Sequence, residues 1–128
     1  MERFRDFFNK KFPFLSWAPI VFISAKTGLH TNDIFKKSFE VFTDSRKIIQ
    51  ESDLTKYLRR KMPPRGKIPI RYFGVKQISN TPPTFELNIV TKKILPGSFY
   101  AYMENRIREQ FGFHGSPIEI TLKREPKK

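Results

Sequence analysis

Phe4, Phe7, Phe8 and Phe12 recur at helical spacing, and Pro13 closes the helix they predict. Pro19-Ile20-Val21-Phe22-Ile23 is a continuous apolar run. It predicts a strand covered on both faces, as in a parallel sheet. Ser24-Ala25-Lys26-Thr27-Gly28 then reads as a loop, with Thr31 or Asn32 as the cap of a helix. The apolar side of that helix is Ile34, Phe35, Phe39, Val41 and Phe42, with Ser38 among them. Helix, strand and helix make part of an α/β layer. One parallel-type strand has no sheet, so this piece is expected to be incomplete.

From about residue 48 the pattern changes. Ser52 or Asp53 opens a helix with Leu54, Tyr57, Leu58 and Met62 on one face, and Pro63-Pro64 stops it. Residues 68–77 alternate, with Ile70 and Tyr72 on one side and Arg71, Phe73 and Val75 on the other. Residues 79–83 form a turn-rich connection. Thr84 to Val90 alternates cleanly, with Phe85, Leu87 and Ile89 inward and Glu86 and Asn88 outward. Ser98 is the expected cap of a helix burying Phe99, Tyr102, Met103, Ile107 and Phe111, with Glu104 and Arg108 as an i,i+4 pair. Gly112 suits a left-handed C-terminal position. Pro117 to Leu122 is a last strand, with Ile118, Ile120 and Leu122 inward. The order α-β-β-α-β defines an α+β domain, a three-stranded sheet with helices on one face.

Composition narrows the function classes. The chain has 128 residues, a net charge of +13, two histidines and no cysteine. Disulfides, thiolate zinc sites and a Cys nucleophile are excluded, and no metal site is expected. With 38% hydrophobic and 15% aromatic residues it is too apolar for a disordered basic tail. No apolar stretch is long enough to span a bilayer, and no long apolar run follows Met1 as in a secretory signal. A reducing, cytoplasmic compartment and no membrane partner are expected. The basic excess is uneven: nine basic and five acidic side chains up to residue 50, sixteen and seven beyond it. The charge points to a polyanion.

The basic residues fall in segments: Arg59-Arg60-Lys61, Arg65 with Lys67, Arg71, Lys92-Lys93, Arg106 with Arg108, and Lys123-Arg124. These are the candidate RNA contacts, since phosphate neutralisation needs clustered cations. Tyr57, Tyr72, Phe73 and Tyr100 lie among them, but most of these rings fit core positions. The loop Ser24-Ala25-Lys26 follows an apolar run and precedes a helix, where α/β nucleotide-binding proteins place ligand loops. In GTP-binding domains an S-A-K loop meets the guanine base through a backbone N–H and covers the ring with the Lys stem. None of the six glycines opens a G-x-x-x-x-G-K-[ST] phosphate loop, and the guanine-specific N-K-x-D element is missing. No catalytic residue is assigned, and the chain is not expected to hydrolyse GTP by itself. Gly112-Phe113-His114-Gly115 is formally G-x-x-G, the loop that clamps nucleic acid in KH domains. Here it joins a helix to a strand, so it reads as a helix end and turn.

Three segments together resemble the C-terminal end of the bacterial tandem GTPase family Der, also called EngA. They are residues 14–28 (Phe14-Leu15-Ser16-Trp17-Ala18-Pro19 through Gly28), 80–85 (Asn80-Thr81-Pro82-Pro83-Thr84-Phe85) and 102–118 (Tyr102-Met103-Glu104-Asn105-Arg106 through Ile118). The resemblance implies that residues 1–47 are the C-terminal fragment of a P-loop GTPase domain, a helix-strand-helix remnant with Ser24, Ala25 and Lys26 as its guanine loop. It implies that residues 48–128 are a KH-like domain. The family acts in assembly of the large (50S) ribosomal subunit, so ribosomal RNA and the family's own GTPase domains are the implied partners. GTP and magnesium belong to the full-length protein and are expected to have no complete site in this chain. The alternative is a protein-interaction module that docks on GTPase domains in trans and regulates them. The N-terminal piece is expected either to dock its Phe-rich helices on itself or to behave as a mobile appendage.

Overall fold

The computed structural model describes residues 2–61, 71–90 and 94–124, with backbone alone for 71–73, 90 and 124. The helix α1 (Glu2–Lys11) and a short 3-10 turn (Pro13–Leu15) lead to α2 (Thr31–Ser45). Then follow α3 (Glu51–Lys61), β1 (Arg71–Asn80), β2 (Pro83–Val90), α4 (Gly97–Phe111) and β3 (Glu119–Arg124). The sheet order is β1-β2-β3, with β1 antiparallel to β2 and β2 parallel to β3. The α-β-β-α-β reading from residue 48 therefore holds. The expected positions Met62, Pro63-Pro64, Ile68 and Ile70 lie outside the described residues.

The core belongs to the second piece. Phe85, Leu87 and Ile89 of β2 are buried, as alternation requires of a strand covered on one face. Against them pack Leu54 and Leu58 of α3, Phe99, Met103 and Ile107 of α4, and Val75 of β1. Phe113, just past α4, is fully buried and meets Phe85 edge-on, with ring centres 5.6 Å apart. Tyr102 and Phe111, expected in the buried stripe of α4, are half-buried. Gly112 has φ +93° and ψ −115°, a positive-φ position that favours glycine but not the left-handed helical conformation expected of it.

Three further expectations are corrected. Residues 19–23 form no strand. A strand exists only through a hydrogen-bonded neighbour, and no described segment supplies one; Phe22 packs against Phe4 instead, with ring centres 5.6 Å apart. Neither Thr31 nor Asn32 caps α2. The cap is His30, at φ +62°, and the Thr31 hydroxyl donates backwards to the Gly28 carbonyl at 2.9 Å. Ser98 does not cap α4, whose cap lies two residues earlier at extended Pro96, without a side-chain hydrogen bond. In addition, α3 begins at Glu51, ahead of Ser52, and β1 and β2 run into the expected turn, leaving two residues, Thr81 and Pro82, between them.

The first piece docks on the second through hydrogen bonds, two cation–ring contacts and the close approach of Val41 and Pro19 to Gly115. No residue of α1 or α2 is buried. The Gln77 amide grips the chain leading into α3: its Oε1 accepts from the Ile49 N–H at 2.7 Å and its Nε2 donates to the Lys47 carbonyl at 3.1 Å. Asn80 donates to the Arg46 carbonyl at 2.8 Å. At the other contact Gly115 (φ +90°) gives its N–H to the Trp17 carbonyl at 3.0 Å. A Cβ there would stand 2.5 Å from Val41 Cγ2, so only glycine fits. Gly115→Ala is expected to cost ~1–3 kcal/mol, through the strained φ and the displacement of α2. Chemical denaturation checks this; a loss within experimental error would contradict the close approach.

Candidate nucleic-acid interface

Among the described residues the expected RNA contacts do not form one patch, but the topology gathers six of them at one end of the domain. Thr55 of α3 exchanges hydrogen bonds with the backbone of Val75, at 3.2 and 3.3 Å. The chain before α3 is held by Gln77, farther along β1. The helix therefore runs against the direction of β1, and its last turn, Arg59-Arg60-Lys61, lies toward the Arg71 end of the strand. The Tyr102 hydroxyl donates to the Lys61 carbonyl and ties that turn to α4. In the sheet, Arg71 pairs in register with Val90, Asn88 with Lys123, and Ile89 with Arg124. The start of β1 and the ends of β2 and β3 thus coincide. Arg59, Arg60, Lys61, Arg71, Lys123 and Arg124 share this pole, and the side chains of Arg59, Arg60, Lys61 and Lys123 are exposed. The three cations at the end of α3 also suit the negative end of its dipole, as Glu51 and Asp53 suit its start.

Arg65, Lys67, Lys92 and Lys93 lie outside the described residues. Arg106 is half-buried; it covers the Tyr102 ring at 5.1 Å and pairs with Glu109 at 3.3 Å. Arg108 departs most from its sequence reading. It is 6% exposed, and its guanidinium donates to the Phe113 carbonyl, to the Ser116 carbonyl at 2.6 Å and to Glu104 at 3.0 Å. Burial pulls its pKa down from the ordinary arginine value, and the Glu104 carboxylate pulls it back up. With its N–H groups spent internally, Arg108 offers nothing to a phosphate. The Glu104–Arg108 pair is present, but inside the fold rather than on a solvated face.

Ser24, Ala25 and Lys26 begin a tight turn. The Thr27 and Gly28 N–H groups are used inside it, on the Ser24 hydroxyl at 3.3 Å and the Ser24 carbonyl at 2.8 Å. Among the described hydrogen bonds, the N–H groups of Ala25 and Lys26 donate to nothing, and both residues are exposed. A backbone donor followed by a free Lys stem is what a planar base with an exocyclic oxygen would need. His114 is exposed in the turn between α4 and β3. Sequence reasoning missed the joint-forming residues Trp17, Lys47, Gln77 and Asn80; each gains its role from a partner far away in the chain, so no local pattern marks them. Among the described residues no helix is long and apolar enough to cross a membrane.

An α-β-β-α-β domain with a basic pole is a KH-like class of fold. Residues 48–123 match the family model described as the KH-domain-like, C-terminal part of EngA bacterial GTPase enzymes, and the chain belongs to that family. It is similar to "GTPase Der" of Caldanaerobacter subterraneus subsp. tengcongensis, 34% identical over 96% of this chain and 29% of that protein. "GTPase Der" of Lactobacillus johnsonii is 35% identical over 97% of the chain and 30% of that protein. "GTPase Der" of Staphylococcus haemolyticus is 33% identical over the same shares. The chain spans less than a third of the length of the relatives it matches.

Proposed function

We propose that residues 48–128 are an RNA-binding KH-like module that acts in assembly of the large ribosomal subunit, as part of a GTPase of this family, in the cytoplasm. The observation that carries this reading is the convergence of Arg59, Arg60, Lys61, Arg71, Lys123 and Arg124 on one pole. Basic positions on three separate elements are brought to that end by the strand register and the direction of α3, more than a solvated helix face requires. Large-subunit ribosomal RNA is the proposed partner. Filter binding across a salt series tests it: with about four to six phosphates neutralised, log K should fall against log salt with a slope of roughly −3 to −5. No affinity at low salt, or affinity indifferent to salt, would refute it.

Residues 1–47 are, on this reading, the last part of a GTPase domain. Ser24, Ala25 and Lys26 supply one wall of a guanine site whose phosphate-binding parts, with magnesium, come from the remainder of a full-length protein. This chain's residues would hold the base and take no part in phosphoryl transfer, so the purified chain should not turn over GTP.

A second reading is favoured by the α2 surface. Phe35 and Phe39 are 74% and 71% exposed, and Ile34 and Phe42 lie beside them. Such a patch suits docking on GTPase domains in trans, with regulation of their activity. Pull-down with the segments of the relatives that this chain does not cover separates the two: this reading requires capture that salt does not abolish.

A further inference from the structure

Arg108 is deep in the second piece, yet the open face of its guanidinium is turned to the first. The group lies over the Trp17 indole with 4.7 Å between its carbon and the ring centre. Its N–H groups are held by Glu104, Phe113 and Ser116, so the plane cannot tilt without leaving two carbonyls and a carboxylate unpaired. A guanidinium fixed in this way presents a rigid cationic face to an aromatic ring. Trp17 is gripped a second time through its carbonyl, by the Gly115 N–H. Its own indole N–H donates to the Phe14 carbonyl at 2.8 Å, which fixes the ring.

The other end of the same segment is held differently. Gln77 and Asn80 bind the backbone of residues 46–49. Lys47 lies over the Phe113 ring at 4.5 Å and pairs with Asp44 at 2.5 Å. With the linker backbone clamped and Asp44 beside Gly112, the last turn of α2 is pinned; the rest of α2 can swing about that point unless the Trp17 contact holds it. Because no residue of α1 or α2 is buried, no apolar core opposes such a swing.

We propose that residues 46–49 are a hinge, and that the Arg108–Trp17 stack is the latch that closes residues 13–45 against the loop between α4 and β3. Open, the latch exposes the Arg108 face and parts Val41 from Gly115. Closed, it couples any movement of the first piece to the KH-like domain. The inference stands on the joint alone and does not depend on what the basic pole binds.

Native-state hydrogen exchange by NMR on the full chain tests it. The Gly115 amide reports the joint, because its acceptor is the Trp17 carbonyl, which survives a side-chain change. In Trp17→Ala the Gly115 exchange rate should rise about five- to thirtyfold, as loss of a desolvated cation–π contact implies. The Leu87 amide, in the core strand, should not change. Trp17→Phe keeps a ring face and should retain most of the protection. The cross-peak between the Val41 methyls and the Gly115 Hα should weaken in Trp17→Ala alone. An unchanged Gly115 rate in Trp17→Ala, or a Trp17→Phe variant as fast as Trp17→Ala, would overturn the latch. Parallel acceleration of Leu87 would overturn it too, since that would show the stack supporting the whole domain.

Discussion

Phe85→Ala is expected to lower the stability of the KH-like domain by ~3–5 kcal/mol, the range for removing a fully buried Phe from a packed core. Phe85 lies in β2, the middle strand, paired with Gln77 of β1 and Ile120 of β3, and its ring abuts the Phe113 ring. Phe113 is covered in turn by Lys47, so neither neighbour can collapse inward without breaking a second contact. A domain of this size has a total stability of only about 5–10 kcal/mol. The substitution should therefore bring it near the threshold of unfolding. Urea titration should show a lower midpoint with an unchanged slope. Phe35→Ala and Phe39→Ala on α2 remove rings of the same size from exposed positions, and should stay within about 0.5 kcal/mol of the parent. Equal losses at Phe85 and Phe39 would contradict the placement of the core.

The contrast between these phenylalanines marks what could be read from the residues. Phe85, Leu87 and Ile89 were legible because period-two alternation over a single covered face leaves no other arrangement. Phe99, Met103 and Ile107 were legible for the equivalent reason on a helix. Phe35, Phe39 and Phe42 carry as clean a pattern, and α2 forms, yet all three stay exposed. Periodicity reports which face seeks burial, not whether a partner is present. Residues 19–23 make the same point for strands: an apolar run does not pair without a ladder beside it. The caps misled because His30 and Pro96 enter their helices through backbone conformation alone, leaving Thr31 and Ser98 inside the first turn.

Arg108 was misread for a different reason. Its i,i+4 relation to Glu104 is a local signal and was correct, but its burial depends on Trp17, which arrives from the opposite end of the sequence. The basic pole has a similar history. Each charge run was visible, but their meeting depends on strand register and on α3 running against β1, which no run encodes. The turn at Ser24-Ala25-Lys26, by contrast, is wholly local: its hydrogen bonds run from the Thr27 and Gly28 N–H groups back to Ser24, within five residues.

Changing Arg59, Arg60 and Lys61 together to Gln is expected to weaken ribosomal RNA binding on the order of 10²-fold at about 0.1 M salt and to flatten the salt slope by about three. Glutamine keeps a long helix-forming side chain, so α3 should persist. Only the charges at the favourable end of its dipole are lost, and a thermal melt will show that cost separately. The control is a second triple change, Lys10→Gln, Lys11→Gln and Lys36→Gln. It removes the same charge from α1 and α2, two elements that contribute no residue to the pole. If attraction came only from the net charge of +13, the two triples would weaken binding alike. At working salt the field of a distant cation is screened within roughly 8–10 Å, whereas a cation in contact with phosphate releases a counterion whatever the remaining charge. The α1/α2 triple should therefore change affinity by less than about threefold and leave the slope nearly intact. Equal losses from both triples would remove the pole as the binding surface and leave a diffuse positive protein in its place.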